Sequence, residues 1–245
     1  MYGWCDKCEA ITLEGLCSKH GETRPINSIN SVDLHPLPEF EKKFLNKHLD
    51  GLELGDGVFL IYGDRIRRRK VVILDKPIAE IKLKKNDFYV TPFVKGKIKG
   101  MKKEAICEAN KDRIERLTKI AKTFSRWEIE SNGNSSIISF SGGRDSLVLA
   151  HLLEEFGLKK VFIDTTIEFP ETYEFIKQLK NKGWDIDVVK AKTNFFELCK
   201  QKGFPSYKNR WCCKTQKFEP FSSYLKENYN GGRVTVFSGV RRWES

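Results

Sequence analysis

The segment Ser141-Gly142-Gly143-Arg144-Asp145-Ser146 places two glycines, two hydroxyls and two opposite charges within six residues. An apolar run at residues 137–140 precedes it, and a periodic apolar segment at residues 147–153 follows it. This order predicts a strand, a tight turn and a helix, so that backbone N–H groups and a helix N-terminus surround a phosphate. The spacing is not that of a Walker loop, which needs four residues between its glycines and a lysine before Ser or Thr. The segment predicts nucleotide binding, with an ordinary turn as the alternative.

Two cysteine motifs lie close together at the start of the chain. Cys5 and Cys8 form a CxxC motif, and Cys17 and His20 form a CxxH motif after eight intervening residues. Each motif fits a tight turn, and two such turns supply the four ligands of a tetrahedral zinc ion. A Cys3His site leaves no open position for a substrate, so the spacing predicts a structural zinc ribbon over residues 1–24. Structural cysteines without a metal are the alternative.

Residues 25–105 are predicted to form a small, basic, β-rich module. Apolar β-forming runs at residues 58–62 and 71–74 are separated by Gly63-Asp64 and a basic run at residues 65–70, which indicates a turn between strands. The pattern continues through residues 78–83 and 88–90, and the lysines between residues 95 and 103 form a basic connector. Residues 106–134 are predicted to be a helical connector with one helix over residues 111–127, and Cys107 is predicted to be a packed thiol.

From residue 135 onward strand and helix patterns alternate, which predicts parallel strands with right-handed crossovers. The predicted strands cover residues 137–140, 161–164, 186–189 and 234–237, and helices follow at residues 147–153, 171–182 and 195–201. The predicted fold class is α/β, a doubly wound parallel sheet over residues 135–245, preceded by the ribbon and the β-rich module. Because ligands bind beyond the carboxyl ends of parallel strands, we expect Ser141, Asp164 and Gly239 at one edge of the sheet.

Charge and composition limit the class of protein. The chain has 245 residues and a net charge of +11, and residues 58–122 contain 19 Lys and Arg against 8 Asp and Glu. A polyanion-binding surface and a solvated basic face both fit this excess. No run approaches the ~18 apolar residues of a membrane span, and the N-terminus lacks a signal-peptide pattern, which predicts a cytoplasmic protein without a membrane partner. In that compartment the seven cysteines indicate metal or redox chemistry rather than disulfides.

Three further segments match one family together with the loop at residues 141–146. Residues 162–173 read FIDTTIEFPETY and resemble its DTG.EFPET motif, residues 210–217 resemble its RWCC segment, and residues 238–245 resemble its G.R..ES segment. The chain therefore resembles the phosphoadenosine phosphosulfate (PAPS) reductase family of the ATP pyrophosphatase (PP-loop) superfamily, in its archaeal type with an N-terminal zinc ribbon and a PUA-like insert. The resemblance implies an adenine nucleotide alpha-hydrolase-like fold for residues 135–245 and a PUA-like fold for the basic module. The sequence ends inside the last motif, and we expect a truncated C-terminus.

The resemblance implies a role for each matched residue. The nucleotide phosphates would be held by Ser141, Gly142, Gly143, Arg144, Asp145 and Ser146, and the adenosine side of the cleft would be lined by Asp164, Thr165 and Glu168. A sulfate or phosphate would face the basic residues Arg210, Lys214, Arg241 and Arg242, because guanidinium and ammonium groups suit such anions. The candidate catalytic residues are Asp145, Arg241, Cys212 and Cys213. A turn cap at Asp164 and surface ion pairs at the basic residues are the alternatives.

The adjacent cysteines Cys212 and Cys213 have three interpretations. In adenylyl-sulfate reductases such a pair binds an iron–sulfur cluster together with a later CxxC motif, and no later CxxC follows here. Alternatively, one thiol carries sulfur or exchanges with a redox partner, together with Cys199. The third interpretation is a pair of buried structural cysteines.

The intact loop favours ATP among the nucleotides. We expect Mg²⁺ and the loop to hold the β- and γ-phosphates while an acceptor attacks the α-phosphate, giving an adenylate and pyrophosphate in sulfur metabolism. Sulfonucleotide chemistry on a sulfate or adenylyl-sulfate substrate is kept beside it. The alternative of a different class is an RNA-directed sulfurtransferase that uses ATP to activate tRNA for thiolation. An RNA-binding protein with a relict nucleotide fold is the non-enzymatic alternative.

Overall fold

The computed structural model describes residues 2–26, 34–64, 69–84, 87–131 and 135–240. The chain divides into two units, Met1–Leu117 and Thr118–Ser245. Arg65 to Arg68 of the basic run and the predicted anion-binding Arg241 and Arg242 lie outside the described residues. In the part of the chain that the structure describes, no helix combines the length and the apolar character that crossing a membrane requires.

Short antiparallel strands form the N-terminal ribbon. The strands are β1 (Tyr2–Cys5), β2 (Ala10–Leu13), β3 (Leu16–Cys17), β4 (Gly21–Glu22) and β5 (Arg24–Pro25). Strands pair in the order β2-β1-β5, and β3 pairs with β4 as a separate hairpin. The residue after each pair of ligand positions has a positive φ, namely Glu9 after Cys8 and Gly21 after His20. The cysteines Cys5 and Cys17 pack in a small buried cluster with Ala10 and Ala109.

The β-rich module of the first unit is built on an antiparallel sheet. Its elements are β6 (His35–Pro36), α1 (Glu39–Asn46), β7 (Leu52–Leu54), β8 (Leu60–Asp64), β9 (Arg69–Ile73), β10 (Pro77–Lys84), β11 (Asp87–Pro92) and β12 (Gly96–Ile98). The sheet order is β11-β10-β9-β8-β6, and β12 pairs with β7 in parallel. Phe59, Ile61, Val72 and Ala79 are fully buried in its core. The prediction of a β-rich N-terminal region with a cysteine cluster is confirmed.

Three local predictions in this region were wrong. Gly63 and Asp64 do not form a turn, because both belong to β8 and pair with Lys70 and Arg69 of β9. The lysine-rich connector is partly a strand, because Lys97 lies in β12 beside Glu53 of β7. In addition, Cys107 is exposed rather than packed. Strand pairing overrides the local residue preference at Gly63, Asp64 and Lys97, and the partner of Lys97 lies 44 residues away.

Two helices follow the module. Helix α2 spans Lys103–Ala109, and α3 spans Lys111–Ser131, which confirms the predicted helix over residues 111–127. Between them, Asn110 is only 4% exposed and ties the ribbon to the rest of the first unit. Its Oδ1 accepts the Leu13 N–H at 2.7 Å, and its Nδ2 donates to the carbonyl oxygens of Ile11 at 2.9 Å and Ile106 at 2.8 Å.

The second unit alternates strands and helices around a parallel sheet. Its elements are β13 (Ser136–Ser139), α4 (Arg144–Leu152), β14 (Lys159–Asp164), α5 (Pro170–Asn181), β15 (Ile186–Lys190), α6 (Phe195–Lys202), α7 (Trp211–Cys213), α8 (Glu219–Tyr229) and β16 (Thr235–Ser238). The sheet order is β15-β14-β13-β16, with every pair parallel. A 3-10 turn spans Glu154–Phe156, and a π turn at Lys214–Phe218 joins α7 to α8.

Both faces of this sheet are covered. Ile138 packs in one buried cluster with Ala150 of α4 and Ile176 of α5, whereas its neighbour Ile137 packs in another with Tyr224 of α8. Consecutive strand residues point to opposite faces, so helices must cover both layers. The predicted doubly wound α/β class is confirmed. Pro170 also occupies the first position of α5, where its missing N–H costs no hydrogen bond.

We expect Asn110→Ala to loosen the ribbon locally. The change leaves the Leu13 N–H and the Ile11 carbonyl without their partner, at a cost of roughly 1–3 kcal/mol for each buried group. The amide of Leu13 should therefore exchange with solvent at least about tenfold faster in hydrogen-exchange mass spectrometry. Lys103→Ala, an exposed change on the adjoining helix, is the matched control and should leave that exchange unchanged. Equal protection of residues 10–18 in both variants would show that Asn110 does not hold the ribbon.

Candidate functional site

The loop between β13 and α4 depends on two glycines. Gly142 has φ +73°, a conformation that other residues adopt at a cost, and a Cβ there would lie 3.4 Å from Thr172. Gly239, after β16, has no room for a side chain, because a Cβ would lie 2.8 Å from the backbone carbonyl carbon and oxygen of Asp145. The chain after β16 therefore runs directly against the first turn of α4.

The serines of the loop bond to the loop itself. Ser146 is 5% exposed, and its hydroxyl donates to the Gly143 carbonyl at 2.9 Å and accepts the Ser141 N–H at 3.2 Å. The Ser141 hydroxyl accepts the Gly143 N–H at 3.3 Å. Ser146 thus fixes the turn, whereas the exposed Ser141, Gly143 and Arg144 lie on its outer surface. The Arg144 Nε lies 4.0 Å from Asp145 Oδ1, so these two charges sit together at the start of α4.

The end of β14 carries a hydrogen-bonded carboxylate. Asp164 is 8% exposed, and its Oδ1 accepts the Tyr173 hydroxyl at 2.7 Å and the Thr166 N–H at 2.8 Å. Thr166 has φ +67°, so the chain turns sharply just beyond the strand. Thr165 donates its hydroxyl to Glu168 Oε1 at 2.7 Å. The two predicted carboxylates are therefore each held by a neighbouring hydroxyl.

Sequence reasoning assigned no role to Tyr173. Burial, and next the hydrogen bond to Asp164, raise the pKa of Tyr173 to about 12. The phenol therefore stays protonated near neutral pH and keeps donating to the carboxylate. Its position one helical turn after Pro170, on the strand-two motif, was the available signal.

A cavity of about 330 Å³ opens beside this carboxylate, at the carboxyl ends of β14 and β15. Its polar lining comes from Asp164, Thr166, Tyr173, Lys190, Lys192 and Asn194. Sequence reasoning also missed the two lysines, although Lys190 directly follows a predicted strand at the ligand-binding edge and Lys192 lies two residues further on. The structure therefore brings the end of β15 into the site, in addition to the loops after β13, β14 and β16.

The adjacent cysteines of the RWCC segment lie on the short helix α7. Arg210 and Lys214 are exposed, and Cys212 and Cys213 are half-buried in α7. The Trp211 ring stacks on Phe195 with centroids 5.5 Å apart, and Cys199 is buried nearby in α6. The second unit contains three cysteines, one fewer than the four thiolates that hold an iron–sulfur cluster. The residues present in this unit do not complete such a site.

The four predicted ligands of the ribbon do come together. The ligand atoms of Cys5, Cys8, Cys17 and His20 all lie within 4.8 Å of one another. His20 Nδ1 lies 3.3 Å from the sulfur atoms of both Cys5 and Cys8, and the Cys8 and Cys17 sulfurs are 3.7 Å apart. Tetrahedral zinc with bonds of ~2.3 Å places its sulfur ligands about 3.8 Å apart, so the donor set fits this metal.

Comparisons with known proteins agree with this arrangement. Residues 135–245 match the family model described as the phosphoadenosine phosphosulfate reductase domain. An uncharacterised protein of Methanocaldococcus jannaschii is 34% identical over 222 residues, which cover 87% of this chain and 48% of the relative. An adenosine 5'-phosphosulfate reductase of Lysinibacillus sphaericus is 30% identical over 126 residues, covering 49% of this chain and 52% of the relative. The chain thus spans about half the length of these curated relatives.

Among solved structures, a phosphoadenylyl-sulfate (PAPS) reductase from Candida auris in complex with phosphate has 21% sequence identity and a TM-score of 0.39. That match covers 54% of this chain and 69% of the other. The parallel sheet is established independently by the strand pairing described above. Residues 135–245 of the second unit are thus similar to the phosphoadenosine phosphosulfate reductase domain, and the relatives of the chain include a reductase named for adenosine 5'-phosphosulfate.

Proposed function

We propose that the second unit binds an adenine nucleotide at the carboxyl edge of its sheet and belongs to an enzyme of sulfur metabolism that acts on a sulfonucleotide. The observation that carries this proposal is the contact between Gly239 and the backbone of Asp145. This contact brings the loop after β16 against the glycine-rich loop after β13, at the sheet edge where the polar cavity beside Asp164 opens. Parallel α/β sheets bind nucleotides at this edge.

Different residues of the second unit are proposed to bind different parts of the nucleotide. The N-terminus of α4 offers N–H donors and a positive dipole to the 5'-phosphate group. Asp164, fixed by Tyr173 and Thr166, offers an oriented acceptor to ribose or adenine. Arg210 and Lys214 are proposed to face the sulfate, and Arg241 and Arg242, which are not among the described residues, are proposed to join them. Cys212 and Cys213 are the proposed thiols for sulfur transfer or exchange with a redox partner.

The family and one of the relatives are named for two different substrates. The family description concerns a phosphorylated adenosine, whereas the Lysinibacillus relative is named for adenosine 5'-phosphosulfate. The two compounds differ by one phosphate on the adenosine. Binding therefore has to be measured with both.

ATP with Mg²⁺ is the second candidate substrate. The exposed Arg144, 4.0 Å from Asp145, favours it, because a guanidinium beside a carboxylate at a helix N-terminus suits a longer phosphate chain and its metal. When bound, Mg²⁺ would neutralise charge on the β- and γ-phosphates, with Asp145 as its proposed ligand. The tRNA alternative has less support, since Lys97 of the basic connector is engaged by Glu53 at 2.6 Å.

We expect Gly239→Ala to weaken nucleotide binding about tenfold or more. Its Cβ would overlap the Asp145 backbone and displace the first turn of α4. Calorimetry with PAPS, adenylyl sulfate and ATP·Mg²⁺ measures the loss and ranks the three nucleotides. Gly157→Ala is the matched control: its φ of +59° makes alanine strained, but open space surrounds the position. A wild-type protein that binds none of the three nucleotides would overturn the proposed function.

We propose that the four ligands of the ribbon hold a structural zinc ion. Cysteine binds zinc as the thiolate. Zinc must then displace the protons of the cysteine thiols, so its affinity should fall as the pH falls.

Metal analysis by mass spectrometry should find one zinc per chain in the wild type and clearly less than one in Cys8→Ser. The matched control is Cys107→Ser, which removes an exposed thiol of the same unit and should keep the metal. Chelation should unfold the ribbon, because so small a segment has little core of its own. Full zinc retention in Cys8→Ser would remove this residue from the ligand set.

A further inference from the structure

Residues 191–195, the wall segment, run from the end of β15 to the first residue of α6. Three of them, Ala191, Lys192 and Asn194, line the cavity beside Asp164. A nucleotide in that cavity would therefore touch the wall segment directly.

Hydrogen bonds tie both ends of the wall segment to the turn after β14. The Ala191 N–H donates to the Asp164 carbonyl at 2.9 Å, and the Phe195 N–H donates to the Thr166 hydroxyl at 2.9 Å. The same turn holds the carboxylate of Asp164, whose Oδ1 accepts the Thr166 N–H at 2.8 Å. The cavity carboxylate and both ends of the wall segment thus belong to one hydrogen-bonded unit.

The wall segment also holds the stretch of chain that carries the adjacent cysteines of α7. The Trp211 ring stacks on the Phe195 ring, with centroids 5.5 Å apart. The Gln216 side chain donates from Nε2 to the Thr193 carbonyl at 3.0 Å. The first contact lies directly before the cysteine pair and the second lies three residues after it, so the pair is held on both sides.

Gln216 is a buried amide that packing alone does not explain. The residue is 2% exposed, and its Oε1 has no hydrogen-bond partner among the described residues. A buried polar atom without a partner costs free energy, and an apolar side chain of the same size would avoid that cost. What the glutamine adds is the bond from its Nε2 to the wall segment.

We infer that Gln216 is a positioning residue that couples occupancy of the cavity to the thiols of Cys212 and Cys213. A ligand against the wall segment orders that segment, and the bond from Gln216 and the stacking of Trp211 pass this order to the cysteine pair. The inference rests on the proposed function, because it assumes that the nucleotide enters this cavity. Both thiols are half-buried and react when the chain around them opens locally, so a chain that is better held reacts more slowly.

Alkylation by iodoacetamide, followed for each cysteine by peptide mass spectrometry, tests this coupling on the whole chain. The ligands are AMP and adenosine 3',5'-bisphosphate, two nucleotides without a transferable sulfate. Saturation with either should slow the alkylation of Cys212 and Cys213 in the wild type at least about threefold, the scale of one hydrogen bond. The exposed Cys107 of the first unit is the internal reference, and its rate should stay the same.

Gln216→Met keeps the size of the side chain and removes the donor to Thr193. This variant should lose the nucleotide effect on the two thiols and keep its calorimetric affinity for nucleotide within about twofold, a combination that general destabilisation would not produce. Gln178→Met, an exposed change on α5, is the matched control and should behave like the wild type. Phe195→Leu, which removes the stacking on Trp211 and keeps its own backbone hydrogen bond, should weaken the same effect.

Each outcome separates this inference from the proposed function. Nucleotide binding without a change in thiol alkylation would overturn the coupling and leave the proposed function standing. A nucleotide effect that survives in Gln216→Met would overturn the role of this residue. Failure of the wild type to bind either nucleotide would overturn both the inference and the proposed function. If Gln216→Met itself fails to bind nucleotide, Phe195→Leu decides, because a full nucleotide effect in that variant contradicts the coupling.

Discussion

The functional edge of the second unit depends on the register of its parallel strands. Ser139 of β13 pairs with Val161 of β14 on one side and with Ser238 of β16 on the other, and Asp164 pairs with Lys190 of β15. Backbone hydrogen bonds hold these pairs, and a slip of one residue would turn every side chain to the opposite layer. Because Ile137 and Ile138 are buried on opposite faces, neither layer tolerates that slip. The loops meet at one edge because the core on both sides requires it.

Much of this arrangement followed from sequence patterns of short range. Alternating apolar periods predicted the α/β class, and the spacing of Cys5, Cys8, Cys17 and His20 predicted a cluster that the structure assembles. The prediction of a lysine-rich connector failed because a distant partner decides the outcome. Lys97 pairs with Glu53, 44 residues away, and the lysine that looked like a free connector is part of a strand. The pairing of Asp164 with Lys190 depends on strand order, which no local spacing contains.

The second unit and the N-terminal ribbon are stabilised by different interactions. The second unit buries large side chains such as Phe140 and Phe162 on a continuous sheet, and burial of each contributes roughly 1.5–3 kcal/mol. The ribbon has strands of only two to four residues. It is stabilised instead by the hydrogen bonds of Asn110 and by its cluster of metal ligands. A region of this size gains its order from a few polar bonds and a metal, and it is therefore sensitive to the loss of any one of them.

The π turn at Lys214–Phe218 sets the helical phase between the cysteine pair and α8. A π turn accommodates one residue more than a regular helix, which changes the direction of preceding side chains by about 100°. Tyr224 is anchored, because its hydroxyl donates to Asp187 at 2.6 Å. The rotation therefore changes the direction of the Cys212 and Cys213 side chains rather than that of α8. Deleting one residue from this turn would leave the tyrosine in place and rotate both thiols to a different side of the helix. The direction in which the cysteines point is thus encoded by the length of this five-residue segment as much as by their own positions.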